Sequence, residues 1–194
     1  EYKHETKKAA ILGRFNYANR LAQNGWQAEL EAYPKHSKRL YSYAGIGFSP
    51  NMPVFPKVRG GYSLYANLPK SIELEAGFRY LYFDKSLWIG VAGVGYYTGN
   101  WCLQARSFMS DNNGFNFAGL FTARRYFGEM NDYVWLQYGT GVSPDETRNI
   151  QFTTNQRLFS NRIIAGVKAS VKQKHVLLLS VGYSRDEYKP SVFG

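Results

Sequence analysis

Cysteine is nearly absent: Cys102 is the only one in 194 residues, so no internal disulfide can form. Histidine is scarce too, with His4, His36 and His175 far apart, and no Cys/His cluster has metal-ligand spacing. The chain lacks a G-x-S-x-G elbow, an H-E-x-x-H helix and a glycine-rich phosphate loop. No cofactor, metal or catalytic residue is therefore expected. Acidic residues are few, 14 against 24 Lys and Arg, for a formal net charge of +10. That basic excess is spread along the chain, with no RRM, zinc-finger or helix-turn-helix pattern to organise it, so nucleic acid is not expected as a partner. Long apolar runs of helical character are missing and mean hydropathy is -0.41, which excludes a bundle of membrane helices.

What the chain has instead is aromatic residues, 17% of the total, and 19 glycines, with β-branched residues throughout. This is a β-rich composition, and it is too apolar for disorder. At 22.2 kDa there is room for one domain, taken as 1–194. Alternation with period two recurs about every 16 residues. Ile72, Leu74, Ala76, Phe78, Tyr80 and Tyr82 fall on one side of a strand, and Glu73, Glu75, Gly77 and Arg79 on the other. Trp26, Ala28, Leu30 and Ala32 likewise oppose Gln27, Glu29 and Glu31. The pattern predicts strands near 1–6, 8–18, 25–33, 39–48, 57–66, 71–83, 87–97, 100–110, 114–126, 132–140, 156–170 and 175–186. Many are long enough to cross a bilayer when tilted, whereas strands of soluble sheets usually have about five or six residues. The uncharged stretch Ser86 to Ala105 could pass for a transmembrane helix. Its glycines and the run Tyr96-Tyr97-Thr98-Gly99-Asn100 predict two strands and a tight turn instead.

The expected fold is therefore all-β: an antiparallel transmembrane β-barrel with about twelve visible strands, in a range of about ten to fourteen. Every second connection belongs to a set that contains the two longest, near 49–56 and 141–155, which predicts outer loops at that end and short periplasmic turns at the other. The same parity predicts terminal strands missing from both ends of the chain.

If one face meets lipid, the other lines a lumen. The register assigns Arg14, Glu29, Glu31, Arg39, Arg59, Glu73, Glu75, Arg79, Arg106, Arg124, Arg162 and Lys168 to that lining. One reading is a net-positive conduit for anionic solutes or sugars. The other is a small barrel filled by Arg and Glu pairs, with no passage. Tyr17, Trp26, Tyr97, Trp101, Tyr126 and Trp135 are expected in interfacial girdles. Basic inner turns with Lys35, Lys38, Arg39, Lys70, Lys172 and Lys174 suggest a docking surface for envelope proteins. A rim-active lipid- or glycan-modifying enzyme is a third reading, for which His36 or His175 would have to serve.

Ordered motifs then carry a resemblance over about Gly13 to Tyr188. They are Gly13-Arg14-Phe15-Asn16-Tyr17-Ala18, Asn24-Gly25-Trp26-Gln27, Glu31-Ala32-Tyr33-Pro34, Phe55-Pro56 with Arg59, and Leu68-Pro69. Further along come Gly77-Phe78-Arg79-Tyr80-Leu81, Tyr97-Thr98-Gly99-Asn100-Trp101, Ala123-Arg124-Arg125-Tyr126-Phe127-Gly128 and Ser143-Pro144-Asp145-Glu146. In their order and spacing they resemble the YaiO family of outer-membrane β-barrel proteins. The resemblance implies a place in the bacterial outer membrane, contact with outer-membrane lipid, and an envelope role linked to polysaccharide export. It also implies anionic polysaccharide or other envelope proteins as partners. It does not imply a reaction.

Overall fold

The computed structural model describes residues 2–20, 23–50, 54–111, 115–129, 132–141, 157–171 and 175–189. They form β1 Tyr2–Glu5, β2 Ala9–Arg20, β3 Gln23–Pro34, β4 Leu40–Phe48, β5 Val58–Leu68 and β6 Ile72–Tyr82, then β7 Ser86–Thr98, β8 Trp101–Asp111, β9 Phe115–Tyr126, β10 Tyr133–Gly141, β11 Arg157–Val171 and β12 His175–Lys189. The only helical element described is a 3-10 turn over Pro69–Ser71. None of the described helices is long and apolar enough to cross a membrane. Ser86 to Ala105 is a hairpin of β7 and β8, turning at Gly99, whose φ of +51° suits a residue without Cβ.

All twelve strands lie in one sheet in chain order, each antiparallel to the next. Among the described residues no ladder joins β12 to β1, so the sheet is open there. The C-terminal ends of β2, β4, β6, β8 and β10 lie at what we call the loop end, and those of the odd-numbered strands at the turn end. Ser143 to Glu146, Lys172 and Lys174 lie outside the described residues.

Period two sorts each strand into two faces. One is apolar and open: Phe15, Leu30, Ile46, Trp88, Phe117, Leu136 and Ile163 are all exposed. A continuous apolar surface of this kind has to be covered, and the strands after β1, of nine to fifteen residues, suit a bilayer. The opposite face carries Gln27, Glu29, Glu31, Ser63, Glu75, Arg79 and Thr122, all buried. It also carries a small apolar cluster toward the loop end, Ile89, Val91, Phe108 and Ala118, against which Leu81, Leu87 and Leu120 pack.

Candidate functional site

The polar face of β2–β8 is built around carboxylates, each engaged by residues from other strands. Arg14 Nη2 donates to Glu31 Oε2 at 2.8 Å, and its Nη1 lies 3.8 Å from Glu29 Oε2. Arg59 Nη1 donates to Glu29 Oε1 at 2.7 Å. Glu75 gathers the most partners: Arg106 Nε at 2.7 Å, Arg79 Nη2 at 3.5 Å, and the hydroxyls of Ser63 and Tyr65, both donating at 2.9 Å. Tyr33 and Tyr43 donate to Glu31, while Tyr41 and Tyr97 donate to Glu73. Arg79 also donates to Ser63 Oγ at 2.8 Å and lies over the Tyr43 ring, 4.8 Å from its centroid.

The geometry of these pairs depends on glycine. In the register Glu29 faces Gly47 and Gly47 faces Arg59; Glu75 faces Gly93 and Gly93 faces Arg106. Each pair therefore spans two ladder spacings, about 9 to 10 Å of backbone separation. A guanidinium on a long stem can bridge that only by lying across the strand between. A Cβ at Gly47 would sit 2.8 Å from Arg59 Cγ, and one at Gly93 would sit 3.2 Å from Glu75 Oε2. Gly61 makes the same room for Arg79 Cδ, 2.6 Å from where its Cβ would be.

The remaining positions assigned to a lining fall out as follows. Arg124, Arg162 and Lys168 share the polar face through β9–β11, as the pairings Cys102 to Arg124, Arg124 to Trp135, Gly139 to Arg162 and Tyr133 to Lys168 require. Arg39 lies exposed in the turn just before β4, where Ser37 Oγ accepts the backbone N–H groups of Arg39 and Leu40 while the Arg39 carbonyl accepts the Asn67 N–H at 2.7 Å. Three aromatics expected in a lipid-facing girdle are also on the polar face: Tyr97 bonds Glu73, and Tyr126 and Trp135 flank Tyr133 with centroids 5.4 and 6.0 Å away. Tyr17, Trp26 and Trp101 are exposed on the apolar face, with Arg125 over the Trp101 ring at 5.7 Å.

Among the described residues, His36 Nε2 and Ser42 Oγ pair a base with a hydroxyl, 2.8 Å apart. Ser42 is 1% exposed, so its oxygen presents no face to a substrate. Among the described residues no group of His, Cys, Asp and Glu could hold a metal ion. At the turn end, Asp132 Oδ1 accepts the Ser170 N–H at 2.6 Å and Oδ2 accepts the Glu129 N–H at 3.0 Å. The first bond and then the second hold its carboxyl below the ordinary carboxylate value.

Two features of this interior were not expected from sequence: the apolar cluster around Ile89 and the tyrosine hydroxyls around each Glu. Glycine at Gly45, Gly47, Gly61, Gly77, Gly93 and Gly95, all in phase with the charges, is the signal that would have pointed to side chains lying across strands.

A twelve-stranded antiparallel meander, apolar on one face and ion-paired on the other, is a membrane β-barrel. Residues 1–146 match the family described as YaiO membrane beta barrel domain, and the chain belongs to that family. The match ends short of β11 and β12, whereas the motif resemblance runs on to about Tyr188. No curated protein and no solved structure matches the chain.

Proposed function

We propose that the chain is a barrel of the bacterial outer membrane with a transport-related or structural role in the envelope, linked to polysaccharide export. Its action is passive: shape and lumen charge decide what passes, and no bond is made or broken. The observation that supports this reading is the unequal charge of the polar face. Glu29, Glu31 and Glu75 are each paired with Arg on β2–β8, while Arg124 and Lys168 on β9 and β11 have no carboxylate within salt-bridge reach among the described residues. A lining with a positive side favours anions and acidic glycans. The link to polysaccharide rests on the family resemblance and on that charge.

Conductance of the detergent-purified protein in planar bilayers, under a salt gradient, tests the reading. Stable steps with anion selectivity are expected. An inserted protein that never conducts would favour a second role, a scaffold within a larger envelope complex. The basic residues Lys35, Lys38, Arg39 and Lys70, all exposed at the turn end, favour that role, since they offer a positive surface to a partner.

A further inference from the structure

Toward the turn end of β9–β11, Arg124 and Lys168 share one ring. Arg124 Cζ lies 5.7 Å and Lys168 Nζ 5.8 Å from the centroid of Tyr133. Both cations are half-buried. Among the described residues neither has a carboxylate within salt-bridge reach, although every Glu on the polar face of β2–β8 is engaged. The acid at the neighbouring turn, Asp132, is committed to the backbone of Ser170 and Glu129. A ring face holds a cation in place through its quadrupole but leaves the positive charge intact. A half-buried charge kept without a counter-ion is costly, and an anion from solution relieves that cost.

We propose that Arg124 and Lys168 form a binding site for an oxyanion-bearing solute, one that carries a carboxylate or a phosphate group. The site rests on the reading of the polar face as a barrel lumen reached by solutes. Tyr133 is the positioning residue, since it holds both cations beside each other. Arg124 offers a planar fork that fits two oxygens of a carboxylate or phosphate, and Lys168 adds a mobile point charge. The nearby half-buried Gln137, whose amide donates to the buried Thr122 hydroxyl at 3.2 Å, gives the body of a solute a polar group to meet.

The test uses the full chain refolded into lipid vesicles, with insertion checked by heat-modifiable migration in gels. Glucuronate, glucose 6-phosphate and uncharged glucose are then titrated by calorimetry. Saturable binding of one or both anions, no binding of glucose, and weakening by about tenfold in Arg124→Gln or Lys168→Gln are expected. Lys57→Gln, in a loop at the opposite end, leaves binding unchanged. The two anions separate a carboxylate site from a phosphate site. If Arg124→Gln fails to fold, Lys168→Gln on the next strand but one carries the comparison alone. An inserted chain that binds neither anion, or binds equally well without these cations, overturns the site and leaves the barrel standing. A chain that does not insert overturns the barrel reading and the site with it.

Discussion

Two stretches of the polar face meet the same requirement, charge held away from lipid, by different means. On β2–β8 acids and bases interleave: Arg14, Glu29 and Arg59 form one chain of pairs, and Arg79, Glu75 and Arg106 another. On β9–β11 the bases Arg124 and Lys168 rest on the Tyr133 ring. The first arrangement neutralises and cross-links; the second positions charge without cancelling it. A cross-linked set of ion pairs and a stretch of uncancelled charge thus coexist on one face.

The largest effect is expected where neutralisation is densest. Glu75 has a side chain only 5% exposed, and Glu75→Ala strands Arg79 and Arg106 together. Removing one partner of a buried pair costs about 3–5 kcal/mol. Urea unfolding in vesicles, followed by tryptophan fluorescence, should show the loss. Lys168→Gln removes only a cation over a ring, at most about 0.5–1 kcal/mol, and relieves the cost of a half-buried charge. Equal losses in the two variants would mean that the two stretches do not differ.

Next in size is a test of the faces themselves. Leu136 is exposed on the apolar face between Ala123 and Ala165, whereas the adjacent Gln137 turns to Thr122 on the polar one. Leu136→Arg should cost about 2–4 kcal/mol at the bilayer midplane, and Gln137→Arg much less. The same unfolding assay ranks them, and a reversed order would put the faces the other way round. Smaller again is Gly77→Ala. Its new Cβ would overlap the Tyr62 carbonyl and the Ser63 side chain, and overpacking of this sort costs about 1–3 kcal/mol. Gly60→Ala, whose nearest neighbour would be 3.8 Å away, should be tolerated.

Strands and faces were legible because lipid on one side and polar contacts on the other force strict alternation. The expected 71–83 became Ile72–Tyr82, with Glu73, Glu75 and Arg79 on one side as read. Alternation says nothing about reach, however. Glu29 finds Arg59 over Gly47, two strands away, and only the register shows it. Alternation also fails where both faces are apolar: Trp88 and Ala92 face outward while Ile89 and Val91 face the cluster with Phe108. Tyr97 was misplaced for a different reason. Its residue type suggests a girdle, but its phase with Cys102 and its hydroxyl on Glu73 set it on the polar face. Arg39 sits where the ladder runs out: its carbonyl still accepts the Asn67 N–H, but its own N–H goes to Ser37 and the residue is exposed.

The mildest prediction concerns how the cationic stretch is braced. Asp132 ties the turn between β9 and β10 to Ser170 on β11, the strand that carries Lys168. Its carboxylate accepts both backbone N–H groups only while ionised with full strength, which is why its folded value lies below the ordinary 3.8. A folded value below the unfolded one means that the ionised form is favoured by folding. The contribution is therefore complete above the ordinary value and is lost as pH falls through the lowered one. Asp132→Asn should unfold slightly more readily than the parent at neutral pH, and the gap should close only in acid. Unfolding midpoints taken from neutral pH down through the carboxylate range measure that gap. A gap that stayed constant with pH would show that the charge on Asp132 adds nothing to the brace, and that the two backbone bonds hold the turn whatever its protonation.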